Sequence, residues 1–175
     1  MDERFKNINM NLNNFKKKFG DNLRENVQLA NYSWFNLGGK AEYMYKANNI
    51  SQLIEFLKAA KEKKIKTTIL GAGSNTLFRD NGLKGAVIKL GKEFSFIKKI
   101  EKETLEIGAA TLDRNIANFA KNNSLRNLEF LSCIPGSLGG AIIMNSGCYE
   151  NDISQVLLSI KAVDKKKLLE VEINK

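Results

Sequence analysis

"ILGAGSNTLFRD", residues 69–80, places Gly71, Ala72 and Gly73, then a Ser74–Asn75 pair, directly behind a β-rich run from Thr67 to Leu70. Glycine reaches positive φ without strain and leaves the main chain open to close approach. Successive N–H groups in such a turn make a concavity that suits an anion. The stretch therefore reads in two ways, as a tight turn or as a phosphate cradle at the end of a strand. Two familiar cradles are excluded. A P-loop requires Lys-Ser or Lys-Thr after its last glycine, and none follows here. The dinucleotide fingerprint would need glycine at position 76, which is Thr76. A nucleotide held at this loop would be held on another fold.

The chain has 175 residues, room for one ordinary domain or two small ones with a real core. Hydrophobic residues make up 43%, which excludes a disordered chain. Apolar runs such as Ala141 to Met144 are too short to cross a bilayer. The first twenty residues lack the apolar core of a secretion signal, so the expected location is the cytoplasm. The net charge of +9 raises nucleic acid as a partner. The lysines argue against it, being dispersed as "FKKKF", "KEKKIK", "IKKIEK" and "DKKK" on helix faces and strand ends. Neither nucleic acid nor membrane is expected to bind, and composition leaves the oligomeric state open. Cys133 and Cys148 lie fifteen apart, without metal-ligand spacing, and read as small buried thiols. No histidine is present, which excludes Ser-His and Cys-His machinery and disfavours a zinc site. Any redox chemistry here falls to a bound cofactor.

Ile8, Leu12, Phe15 and Phe19 recur at helical spacing ahead of Gly20 and predict a helix over 4–19. Residues 26–47 read as short strands around a Gly38–Gly39 turn. Ser51 is the expected cap of a helix whose apolar face is Leu53, Ile54, Leu57 and Ala60. Strands are expected at 66–70, 86–90, 94–100 and 104–110. A second helix over 112–124 would bury Leu112, Ile116, Phe119 and Ala120. Two strands, at 155–163 and 167–173, close the chain. Leu37, Phe78 and Met144 are expected in the core. The mixture is α+β, with a sheet-rich second half.

"IPGSLGG", residues 134–140, spends one proline and three glycines in seven positions. The "AIIMN" that follows fits a short helix whose N-terminal amides face back to the loop, an arrangement that favours anions. Two such loops without a Walker lysine suit a dinucleotide diphosphate, to which charge-assisted bonds contribute ~1.5–3 kcal/mol each. Taken alone, the loop is also consistent with a closely packed corner.

Four segments together, "NYSWFNLGGKAEY" (31–43), "ILGAGSNTLFRDNGLKGAVIKL" (69–90), "LEIGAAT" (105–111) and "LEFLSCIPGSLGGAIIMNSGCY" (128–149), resemble the UDP-N-acetylenolpyruvoylglucosamine reductase family in order and spacing. The resemblance covers about residues 25–165. It implies the α+β FAD-binding fold of the vanillyl-alcohol-oxidase type, two small α+β subdomains gripping FAD. On that reading residues 1–24 are an extension, 25–85 the first subdomain and 86–175 the second, with a substrate domain beyond Lys175. It also implies NADPH as hydride donor and a UDP-sugar as substrate.

Carried over position by position, Leu70, Gly71, Ala72, Gly73, Ser74 and Asn75 would run along the diphosphate and ribityl chain. Ile134, Pro135, Gly136, Ser137, Gly139 and Gly140 would form the facing loop. Gly108 and Ala109 would pass close to the cofactor, and Asn145, Gly147 and Tyr149 would lie beside the flavin ring. Asn75 and Ser137 fit turn caps equally well, and Tyr149 fits a core aromatic. The family's catalytic arginine, serine and glutamate match nothing in these residues, so no catalytic residue is assigned and the chain alone is expected to be inactive. Glu150 stands where the family has glycine. Another flavin oxidoreductase of the same fold is the alternative; such enzymes usually tether flavin through a histidine or cysteine, for which this chain has no matching context.

Overall fold

The structure, a computed structural model, describes residues 15–175. Residues 4–14 of the expected first helix lie outside the described residues; residues 15–19 are helical and form α1. β1 (Leu23–Gln28), β2 (Lys40–Ala47), α2 (Ile50–Glu62), β3 (Thr67–Ile69) and β4 (Leu83–Leu90) follow. The four strands make one sheet in the order β1-β2-β4-β3. β1 is antiparallel to β2, while β2 and β3 both run parallel to β4. α2 is therefore a crossover that carries the chain past β4 and delivers β3 to the sheet edge.

Strand periodicity sorts the side chains of this sheet onto two cores. Tyr43 and Tyr45 of β2 and Ala86 and Ile88 of β4 face α2, where Phe15, Phe19 and Phe56 meet them. Phe56 stacks on Tyr45 with ring centroids 3.9 Å apart and planes 5° from parallel. Each such buried ring contributes about 1.5–3 kcal/mol by leaving water. Met44 and Val87 point the other way and join Leu29, Leu70 and Phe78.

The second half begins with the β5–β6 hairpin (Ile97–Lys99, Leu105–Ile107), then α3 (Asp113–Asn122) and α4 (Leu138–Met144). A tiny hairpin, β7 (Gly147–Cys148) and β8 (Asn151–Asp152), leads to the single turn α5 (Ile153–Val156). Ile116, Ala117, Phe130, Leu131, Ala141 and Ile153 form its core. The last hairpin, β9 (Ser159–Asp164) and β10 (Leu169–Asn174), turns back to the first half. There Leu168 is buried beside α2, and Lys61 Nζ donates to the Lys166 carbonyl at 3.0 Å.

Several expectations are corrected by packing. α2 is capped by Asn49, whose Oδ1 accepts from the Gln52 N–H at 2.9 Å, so Ser51 lies inside the helix. Its buried face includes Phe56, whereas Ile54 is only half-buried. β5 and β6 are three residues each, and residues 155–156 belong to α5. β4 starts at Leu83, ahead of the expected 86, and its Ala86, Val87 and Ile88 pair with both β2 and β3. Phe78 is buried as expected, but Leu37 is 57% exposed on the loop before β2, and Met144 is 59% exposed on the cleft described below. Leu112 is exposed and Asp113, its polar neighbour, is fully buried in its place. Cys133 is exposed and Cys148 only half-buried.

Candidate functional site

A cleft of about 1060 Å³ runs between the two halves. That is the upper end of the range for small-molecule sites, ~300–1,000 Å³. One wall is the loop after β3, Leu70 to Thr76, together with Lys89 of β4. The other is the 109–113 segment, the 133–137 loop and α4.

The first wall is built around unmet hydrogen-bond donors. Leu70 is the last residue tied to the sheet, its N–H donating to the Ile88 carbonyl at 2.9 Å. Beyond it, the N–H groups of Gly71, Ala72, Gly73, Ser74 and Asn75 find no acceptor among the described residues. The loop is held from outside instead. Trp34 N–H donates to the Gly73 carbonyl at 3.1 Å, and Ser33 Oγ donates to the Thr76 carbonyl at 2.7 Å. Lys89 Nζ donates to the Gly71 carbonyl. Strand alternation places this lysine on the sheet face of Val87, opposite α2. Burial holds its ammonium below the usual lysine range.

The two glycines of this loop have different reasons. Gly73 has φ +81°, and a Cβ there would lie 1.9 Å from the Tyr32 carbonyl oxygen. Gly71 has ordinary φ, but a Cβ would meet Ser137 Oγ of the facing loop at 2.9 Å. The walls therefore approach closely at Gly71 and Ser137.

The second wall is a zipped pair of segments. Asp113 N–H donates to the Gly136 carbonyl at 3.2 Å, Leu138 N–H to Thr111 at 2.9 Å and Gly139 N–H to Ala109 at 2.8 Å. The last two bonds use the Leu138 and Gly139 amides of α4, while the N–H groups of Ser137 and Gly140 find no acceptor among the described residues. Gly139 is bare because Ala109 sits 3.1 Å from where its Cβ would be. Behind Gly136 lies the Asp113 carboxyl, fully buried, with neither oxygen hydrogen-bonded among the described residues.

Burial pushes the Asp113 pKa up to about 6. Its unfolded value is about 3.9. An acid raised in this way costs stability while it is ionised, and the cost fades as pH falls through the folded value. Native chain without ligand should thus gain stability relative to Asp113→Asn as pH falls from about 6 to about 4. Urea melts of both proteins across that range check this. A constant gap between them would mean that the carboxyl is not held ionised in a dry site.

Most of the expected site converges on the cleft. Leu70, Gly71, Ala72, Gly73, Ser74, Asn75, Ala109, Ile134, Pro135, Gly136, Ser137, Gly139, Gly140 and Gly147 all line it. Gly108, Asn145 and Tyr149 do not. Gly108 is bare because the Phe94 carbonyl oxygen lies 2.2 Å from a Cβ position. Asn145 ends α4 in the left-handed region, and its Oδ1 accepts from the Ser154 N–H at 2.9 Å. Tyr149 is 80% exposed at the tip of the β7–β8 turn. It and Glu150 both take positive φ, 52° and 64°, as a two-residue hairpin turn of this kind demands. Glycine would meet that demand without strain, which accounts for what Glu150 displaces.

Lys89, Asp113 and the two cysteines line the cleft without having been expected there. The thiols are neighbours; burial pushes Cys148 up, and its bond with Cys133 adds to the shift. Lys89 had a sequence signal, a lysine inside the apolar run "GAVIKL". Asp113 had none, since an acid in a first helical turn is ordinarily solvated.

A family described as the FAD binding domain matches residues 41–167. The chain is 42% identical over 151 residues to the UDP-N-acetylenolpyruvoylglucosamine reductase of Pelagibacter ubique (strain HTCC1062), covering 86% of this chain and 50% of that protein. It is 40% identical over 151 residues to the same-named protein of Orientia tsutsugamushi (strain Ikeda), covering 85% and 50%. Among solved structures, the UDP-N-acetylenolpyruvylglucosamine reductase of Thermus caldophilus superposes with a TM-score of 0.72 at 26% identity, covering 87% of this chain and 53% of that one. The chain spans about half the length of the curated relatives it matches. A bare-backbone cleft between two α+β halves is what an FAD-binding domain needs, and it is to the FAD binding domain family that this chain belongs.

Proposed function

We propose that the chain supplies the flavin-binding part of an NADPH-dependent reductase that converts UDP-N-acetylenolpyruvoylglucosamine to UDP-N-acetylmuramate, a cytoplasmic step of peptidoglycan synthesis. The observation that carries this reading is the run of five amides, Gly71 to Asn75, on the wall of the cleft that find no acceptor among the described residues. Such a nest matches a diphosphate, whose oxygens accept and never donate. FAD, when bound, would supply the hydride chemistry between NADPH and the enolpyruvyl group. The residues of this chain bind and orient: the 71–75 amides hold the anion, Ser137 and Gly140 close the cleft opposite Gly71, and Ile134 and Met144 present apolar surface. None is assigned as an acid or base in the reaction.

A nest of this length favours a diphosphate over a single phosphate. Fluorescence titration should show FAD binding at least about tenfold tighter than FMN, the worth of one additional charge-assisted contact. Equal or tighter FMN binding would remove the diphosphate reading, and with it the assignment of this loop.

A further inference from the structure

Two lysines line the cleft, Lys89 and Lys165, and among the described residues Lys89 is the one hydrogen-bonded to the glycine loop. Its Nζ has three N–H donors, and the Gly71 carbonyl takes one of them. No ion pair involves Lys89 among the described residues. Its neighbour across the sheet on β2 is Lys46, a second cation that cannot compensate it. A half-buried ammonium with no carboxylate partner costs free energy in an empty site, and burial accordingly pushes its pKa down. The same placement is favourable once an anion arrives. The five unpartnered amides lie on the loop that this lysine holds by its first residue.

We infer that Lys89 is the counter-charge of the cleft, its ammonium pairing with the diphosphate of the bound flavin cofactor while one N–H keeps the Gly71 carbonyl in place. The inference rests on the FAD reading above and adds to it the residue that neutralises the anion. Lys89 positions as well as binds: through Gly71 it sets where the loop begins, and through its charge it selects ligands that carry phosphate.

The test compares native chain with Lys89→Gln and Lys89→Met, using FAD, ADP and riboflavin as probes and the melting temperature without ligand as a control. Glutamine keeps a donor for Gly71 and removes the charge; methionine removes both. For either variant, FAD and ADP should bind about tenfold to a hundredfold more weakly, the range for a lost charge-assisted bond. Riboflavin, which has no phosphate, should bind as to native protein. The melting temperature should hold or rise, since an uncompensated half-buried charge has gone. Unchanged FAD affinity in the glutamine variant would overturn the inference. So would equal weakening of FAD and riboflavin, which would indicate a reshaped cleft. Failure of the native chain to bind FAD at all would overturn the FAD reading itself.

Discussion

Gly73→Val is expected to lower the melting temperature by about 10 °C or more and to weaken FAD binding by at least about a hundredfold. The backbone at Gly73 has φ +81°, a region that costs an L-residue roughly 1–2 kcal/mol, and more for a β-branched one. The new Cβ would also sit 1.9 Å from the Tyr32 carbonyl oxygen, so main chain must move. Overpacking of this kind costs about 1–3 kcal/mol further. Together these consume much of a typical stability of ~5–15 kcal/mol. The loop would also lose its outside anchor, the Trp34 N–H bond to the Gly73 carbonyl. Thermal melts and a flavin titration on the same sample check both effects. A valine variant that melts normally and binds normally would show that the loop is not built as described. Lys58→Ala, an exposed change on α2, is the control and should alter neither quantity.

Gly71→Val, two residues away, is expected to separate those effects. Its backbone φ is ordinary, so the substitution strains nothing within the loop. What the side chain meets is the far wall: Ser137 Oγ at 2.9 Å and the Gly140 Cα at 4.0 Å from the Cβ alone. The isopropyl group would wedge the two walls and cover the adjacent amides. Losing two charge-assisted bonds at ~1.5–3 kcal/mol each predicts FAD binding weaker by roughly a hundredfold or more. The melting temperature without ligand should shift by no more than about 4 °C, about 1 kcal/mol for a chain of this size. Equal losses of stability from Gly71→Val and Gly73→Val would mean that both glycines serve only the chain itself.

The contrast between these two glycines marks the limit of what the sequence could say. Both stood in one small-residue run, and both read as openings for a ligand. Gly71 is bare toward the cleft, where Ser137 Oγ of the facing wall takes the space of a side chain. Gly73 is bare for the chain's own turn at Tyr32. In the second loop one glycine and two amides have reasons within the chain itself. Gly139 makes room for Ala109, and the Leu138 and Gly139 amides of α4 are spent on the carbonyls of Thr111 and Ala109. Glycine announces a close approach; it does not say by what.

By itself, the sequence determined the class of fold and the place of the cleft. Helical and strand periods, the apolar faces of α2 and α3, and two glycine-rich loops following structured segments are local properties, written in neighbouring residues. Their order was specific enough to suggest the family that the comparisons then found. The tertiary structure alone decided which groups the cleft would hold unsatisfied. Asp113 and Lys89 are charged residues that local rules put at the surface or leave undecided. Asp113 is fully buried because the 134–137 loop closes over it, and Lys89 is half-buried because the loop after β3 packs against it, both from other parts of the chain. Met144 and Leu37 show the reverse, apolar residues left uncovered because the surfaces facing them are the cleft and solvent. Whether a polar group is paired, or an apolar one covered, depends on what folding brings opposite it, and periodicity in one segment carries no record of the segment across the gap.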